Sequence, residues 1–481
     1  MKIFDSNNSN ISDGDGNYNR KAIRLYHRAV KNPKHDDSEL PPLDIIEDLI
    51  QDCFDYELFQ EAADFSSYWF GQMPFSGEPM LNKGAALINM NRNKEALKAL
   101  EIAEKLEPMN IEILINKAIA LDSLGKPDKA LSVLDTACEI DPANSDIIMQ
   151  KGFLFESTGK YEKAIKIFKL LGKDQRYFKD SLNETAYCYE CLGRFDNAEK
   201  YYKKGIDADP YDLNIWCNLG DLYYNTGKFY KAIESYDMAL SIDEDFPEAW
   251  HNRGNALAAM GRLADAIESY NRSLFFDPGD FDTMLNLASA IGDSGNYTKA
   301  IAMYTKIIVL NPDFYQAYFG RGICFDALDK FDEAVSDYNS ALALYPEFAE
   351  IWYAKADALY NLNRNYQAIE CYKKVLELNP HHVDCLYDYG LTLMEMEMIN
   401  EAEGVFNRLI EKAPNWAEGY YNLAKIDAKK NRIESSTKLI AKAIQLDPKK
   451  ERELHEEFPL LLKPVIFNDY IRHVKEHINA K

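Results

Sequence analysis

The chain runs to 481 residues, 47% of them hydrophobic and 28% charged, a balance that excludes a disordered or fibrous chain. Its 78 Asp and Glu outnumber 55 Lys and Arg to leave a net charge of −23, a field that repels nucleic acid and anionic lipid and favours basic partners. No stretch approaches the roughly 20 apolar residues that span a bilayer, so neither membrane nor nucleic acid is an expected partner and a cytoplasmic location is expected.

Residues 1–19, MKIFDSNNSNISDGDGNYN, are rich in Asn, Asp, Ser and Gly and lack the apolar core of a secretory signal; they are expected to be disordered. Residues 20–42 read as a short basic helix, RKAIRLYHRAVK, and then a linker. That helix either frays at the terminus or docks on an acidic surface. Residues 43–76 carry Ala62 and Pro74 in phase with the repeats of 77–450 but place Ile50 where a small residue belongs, and are expected to form a degenerate capping repeat.

From Gly77 to Lys450 the sequence keeps a 34-residue beat through eleven units. Ala96, Ala130, Ala164, Ala198, Ala232, Ala266, Ala300, Ala334, Ala368 and Ala402 fall on it without a miss, and Ser436 continues the row. Twelve residues before each of these stands Gly or Ala, from Gly84 to Ala424. Small residues at both positions predict two helices in close approach, because a larger side chain would overpack the contact by about 1–3 kcal/mol. In the unit 213–246, Trp216, Leu219, Gly220 and Tyr223 follow one helical stripe, Gly227 breaks it, and Ala232, Tyr236 and Ala239 begin another. Prolines such as Pro108, Pro142 and Pro312 close the units. The unit 145–178 has Leu171 and Arg176 where small and proline residues are usual, so its second helix is expected to end differently. Residues 451–481 are interrupted by Pro459 and Pro464 but hold Phe458, Tyr470 and Val474, as suits helices that cap a solenoid; the same residues could instead form a self-association surface.

The spacing and residue types resemble the tetratricopeptide repeat, whose Trp, Leu, Gly, Tyr and Ala signposts stand here at Trp216, Leu219, Gly220, Tyr223 and Ala232. The resemblance covers about three quarters of the chain. It implies an all-α fold: a right-handed superhelical solenoid of stacked helix-turn-helix repeats with a helical C-terminal cap, whose first helices line a concave groove.

The sixth residues of the units include Asn82, Asn116, Asn218, Asn252, Asn286 and Asn422. An amide both donates and accepts, so such a ladder could grip the backbone of an extended peptide whatever its sequence; asparagine could equally be a habit of the family at this site. Tyr224, Tyr353, Tyr360 and Tyr387 flank the ladder, either as anchors for a ligand or as packing between units. The second residues are mostly acidic, from Glu78 to Glu418, which the helix dipole favours and which would make one edge of the groove negative. Chaperone-binding members of the family hold a terminal carboxylate with Lys and Arg on these rows; the second, fifth and sixth rows here contain neither.

No phosphate loop, nucleophile elbow or HExxH motif is present, and the eight cysteines are scattered apart from the lone pair Cys188 and Cys191. No enzyme activity, cofactor or metal is therefore expected. The expected function is a protein-interaction scaffold that takes a neutral-to-basic peptide or protein in its groove. The alternative is a regulatory or self-assembling subunit acting through its terminal helices.

Overall fold

The computed structural model describes residues 15–31 and 40–479, and among the described residues all regular structure is helical. The chain is an all-α solenoid that divides into two compact units, Met1–Ile242 and Asp243–Lys481.

The first unit opens with the helix Asp15–Lys31, which starts five residues before the expected Arg20. It does not fray. Ala22, Ile23 and Ala29 are buried on one face, and His27 Nε2 lies 2.8 Å from the Asp64 carboxylate on the helix Phe59–Gln72. Lys31 joins the same carboxylate at 3.1 Å. An apolar stripe long enough to bury itself outweighs the entropy of a free terminus. Of the segment expected to be disordered, residues 1–14 lie outside the described residues. Five hairpins come after the helices Ile46–Asp55 and Phe59–Gln72, ending with Leu213–Asn225 and Phe229–Ile242.

The second unit stacks six hairpins, from Pro247–Ala259 to Ile433–Leu446, and closes with Lys450–Leu461 and Pro464–Asn479. Pro459 falls in the last turn of the first closing helix and Pro464 begins the second, so the two prolines end and start helices rather than breaking one.

One local device makes every hairpin. The fifteenth residue of each repeat has positive φ, between 56° and 84°: six are Gly, and Asn91, Asp329, Asn363, Glu397 and Asn431 supply the rest. Left-handed backbone turns the chain after the first helix, a conformation that costs glycine nothing and that Asn and Asp tolerate. Glu57 shares it, which gives the segment 43–76 the same turn as the repeats. Between repeats, the indole of Trp216 donates to the Pro210 carbonyl at 3.0 Å, and Trp250 and Trp352 reach the equivalent carbonyls of Glu244 and Pro346. The carbonyl rather than the pyrrolidine ring is what the tryptophan reads, so Glu244 can stand in for proline.

The alanine row is the centre of each hairpin. From Ala96 to Ala402 none is more than 1% exposed, and Ser436 is fully buried. The Gly/Ala row serves a different end from the one expected. At Gly220, Gly254 and Gly322 an added Cβ would lie 2.5 Å from Cε1 of Tyr236, Tyr270 and Tyr338, the aromatic residue of the same repeat's second helix. The small residue admits a ring rather than a backbone. The second helix of 145–178 is short, Tyr161–Leu171 against fourteen residues in its neighbours, and stops at Gly172.

Candidate functional site

Within each unit the first helices pack on one another: Glu78–Asn89 on Ile111–Ser123 and that on Ser145–Ser157, and Pro247–Ala259 through Phe281–Asp293 and Tyr315–Asp326 to Ala349–Asn361. These first helices form a side-chain face in each unit, and every residue proposed from the sequence lies on a first helix.

The asparagines are not equivalent. In the first unit Asn82, Asn116 and Asn218 are half-buried. Asn116 donates to the Glu112 carbonyl of its own helix at 3.0 Å, whereas Asn218 donates to Asn183 Oδ1 of the preceding repeat at 2.8 Å. In the second unit Asn252 and Asn286 are half-buried, and Asn286 donates to Asn255 Oδ1 at 3.0 Å. An amide that gives one N–H to its neighbour keeps a second N–H and a carbonyl lone pair for a ligand. Asn422 is the exception: it is 3% exposed and donates to the Glu418 carbonyl, so it offers no rung. The gap at Gly320 has a steric cause, since a Cβ there would stand 2.4 Å from Cζ of Tyr304 in the preceding repeat.

The tyrosines are all half-buried and largely committed to neighbours. Tyr224 lies 5.6 Å from Phe229. Tyr353 donates its hydroxyl to Asp388, Tyr360 donates to Glu395 at 2.8 Å, and Tyr387 packs on Trp416 with ring centres 5.0 Å apart. Packing is thus their first role, within its own hairpin for Tyr224 and between repeats for Tyr353, Tyr360 and Tyr387, and their exposed edges are what remains for a ligand.

The structure brings in a second set that the ladder reading missed. Six consecutive repeats carry tyrosine on the second helix, at 202, 236, 270, 304, 338 and 372. Five of them push a hydroxyl past the small residue to a polar group of the first helix: Tyr202 to Glu190 at 3.3 Å, Tyr236 to Asp221 at 2.6 Å, Tyr270 to Asn255 at 2.8 Å, Tyr338 to Asp326 at 2.7 Å and Tyr372 to Asp357 at 2.9 Å. Several acids of this face are buried deeper than surface acids. Burial pushes the Asp357 carboxyl up to about 7 against the Tyr372 hydrogen bond, with Asp388 and Asp326 adding repulsion. Burial likewise raises Asp388 and Asp326. In the first unit burial and the neighbouring Glu184 push Glu156 up to about 7. Asp357 and Asp388 meet in a cleft of about 280 Å³ with Tyr360, Asn361, Tyr372 and Leu391 on its walls. A 34-residue tyrosine comb was there to be read in the sequence and would have pointed to these acids.

The chemistry on offer is recognition. Cys188 is buried and Cys191 exposed, both as free thiols, and burial raises the Cys188 thiol. Among the described residues no group of three His, Cys, Asp or Glu could hold a metal ion. No helix among them is long and apolar enough to cross a membrane.

Family models described as tetratricopeptide repeat match residues 81–145, 180–212, 201–234, 247–280, 285–347, 349–382, 384–415 and 417–450, and one described as TPR repeat matches 220–261. The stretch they leave between 145 and 180 is the repeat with the shortened second helix. No curated protein matches the chain. Solved structures similar to part of it include the MamA protein, 25% identical over 35% of this chain and 92% of that one with a TM-score of 0.32. Another is YrrB, titled a TPR protein with an unusual peptide-binding site, 20% identical over 39% of this chain and 96% of that one with a TM-score of 0.33. On the matched repeats and the helical hairpins that carry them, the chain belongs to the tetratricopeptide repeat family of protein-interaction scaffolds.

Proposed function

We propose that the first-helix face of the second unit binds an extended, neutral-to-basic segment of a partner protein. Asn252 and Asn286 pair with its backbone amides, and the cleft between Asp357 and Asp388 takes a lysine or arginine side chain. The observation that carries this reading is the cleft itself: two desolvated carboxylates beside phenolic hydroxyls, with neither Lys nor Arg on its walls. Burial disfavours the charge on these carboxyls and an arriving cation offsets that cost, which is the condition for selecting charge. The first unit offers a shorter version of the same face in Asn82, Asn116 and Asn218.

The experiment is affinity purification from the native cell, then fluorescence anisotropy with a peptide from the captured partner. Asn252→Ala with Asn286→Ala weakens that peptide about 10-fold, since each lost hydrogen bond contributes about 0.5–1.5 kcal/mol. Unchanged affinity with an intact helical signal removes the ladder from the account.

A pH profile tests the cleft. Asp357 ionises near 7, so affinity for a peptide bearing Lys or Arg rises several-fold as pH climbs from about 6 to 8, and Asp357→Asn flattens the profile. The fold responds in the opposite sense. With a folded value of about 7 above the ordinary 3.8, the native chain holds a proton that the unfolded chain has lost, so this group's contribution to stability falls as pH rises through that window. Stronger peptide binding at the acidic end would contradict the cleft's role.

The alternative is a regulatory or self-assembling subunit acting through its terminal helices, for which Leu460, 88% exposed, remains available while other apolar residues of those helices are covered. Phe458, Tyr470 and Val474 are buried against Ile440 and Ile444 of the last repeat.

A further inference from the structure

Among the described residues every helix but one carries at least one Asp or Glu, in keeping with a net charge of −23. The exception is Tyr297–Leu310, the second helix of the repeat 281–314 in the second unit. Its inner side, Ala300, Tyr304 and Ile307, is buried in the hairpin core, while Lys306, Val309 and Leu310 are exposed. This exposed side belongs to a second helix, not to the first helices that carry Asn252 and Asn286.

The bare apolar residues recur with the repeat. Phe275 and Val309 hold the same place in successive repeats and are 72% and 74% exposed. Leu310 and Leu344 repeat the pattern one residue on, at 55% and 40%, and Tyr345 follows. The equivalents of Phe275 in the flanking repeats are polar or acidic: Asp207 and Ser241 before it, Glu377 and Glu411 after Ala343. Aromatic rings fill the joints between these three repeats, with Phe281 6.0 Å from Phe314 and Tyr315 stacked on Tyr345 at 4.9 Å. Apolar side chains gathered in this way on an otherwise charged surface mark an interaction site.

The charges beside the row say what covers it. Lys306 stands three residues before Val309 and Asp313 three residues after Leu310; both are exposed, and among the described residues neither has an ion-pair partner. A base, an apolar pair and an acid in that order are complementary to their own reverse. A two-fold axis passing between Val309 and Leu310 sets two copies of this helix antiparallel, and Lys306 of one then comes opposite Asp313 of the other. Elsewhere on so acidic a chain two copies would meet mostly acid against acid.

We propose that the row of Phe275, Val309, Leu310, Leu344 and Tyr345 docks a second copy of this chain about a two-fold axis that crosses the three second helices. Val309 and Leu310 lie at its centre, and Lys306 of each copy meets Asp313 of the other. An apolar core with charges at the rim is the anatomy of a contact between like subunits. A specific interface clears roughly 1,000 Å², and five large apolar side chains bare on each copy supply area of that order. That is the lower end of the range, so the dimer is reversible, with a Kd in about the micromolar range.

The test uses the full chain, read by sedimentation equilibrium across a concentration series. An equilibrium between monomer and dimer is expected. Val309→Asp weakens the dimer about 10-fold or more, because it places an unpaired charge in the apolar centre. The position is exposed, and a retained helical signal shows that the fold survives. Lys306→Asp and Asp313→Lys each weaken the dimer about 5-fold by setting like charges opposite, and the two together in one chain restore it. Leu460→Asp leaves it unchanged. A wild-type chain that stays monomeric through the series overturns the proposal. So does a dimer that Val309→Asp spares and Leu460→Asp dissolves, which gives the contact to the closing helices. A double charge variant as weak as either single one overturns it too, since Lys306 and Asp313 then do not face each other.

Discussion

Gly322→Leu is expected to destabilise its repeat by about 3 kcal/mol or more, with the helical signal of the second unit lost at lower denaturant than in the wild type. The ring of Tyr338 passes directly over Gly322, so that a bare Cβ would already sit 2.5 Å from Cε1. Tyr338 is fully buried and its hydroxyl donates to Asp326 at 2.7 Å. A leucine must displace the ring, which overpacks the hairpin by about 1–3 kcal/mol and breaks a hydrogen bond worth about 0.5–1.5 kcal/mol. It also takes from the Asp326 carboxylate the hydroxyl that solvates it. Gly322→Ala is the smaller step: its Cβ also meets the Tyr338 ring, which must shift, but alanine stands at the corresponding positions Ala288 and Ala356 and its better helix propensity returns about 1 kcal/mol, so it is expected to cost clearly less than leucine. A leucine variant that melts with the wild type would mean that the ring has another place to go, and the account of the small row would fail.

That row also marks where sequence reading reached its limit. Period, hairpin and family were legible because a 34-residue repeat states each structural requirement eleven times over, and a chance coincidence at one position cannot persist through the rest. The alanine row was read correctly as a buried helix contact. The Gly/Ala row was not, because smallness says that something comes close without saying what. The answer lay in tyrosines sixteen residues further on, which only the folded hairpin places opposite. The left-handed turn was visible at Gly227 but hidden at Asp329 and Glu397, where a residue strained by positive φ masks the signal. The site was less legible than the fold for a related reason. Asn422 keeps the register of Asn252 yet is buried, because burial depends on what the neighbouring helices bring. Asp357 and Asp388 belong to different rows and meet only in three dimensions.

The closing helices carry the other large effect. Phe458→Ala is expected to cost about 3–5 kcal/mol, the range for emptying a fully buried aromatic position, and to fray the last repeat first. Phe458 stacks on Tyr470 with centroids 5.4 Å apart and meets the edge of Tyr421 at 5.8 Å. Tyr470 in turn donates to the Ser436 carbonyl at 3.2 Å, on the helix Ile433–Leu446. One side chain thus clamps both closing helices to the final hairpin. A solenoid repeat is stabilised by its neighbours, so a repeat whose outer neighbour detaches loses one of two interfaces. Hydrogen exchange should therefore quicken across residues 417–446 well before it does around Tyr338, and the exposed faces of Tyr421, Ala424 and Ile440 should make the variant associate as its concentration rises. Leu460→Ala is the matched control: Leu460 is 88% exposed two residues away and its loss should change neither measurement. If exchange in 417–446 stayed at its wild-type rate in Phe458→Ala, the closing helices would be passengers, and the apolar face of the last repeat would have to be covered by something else.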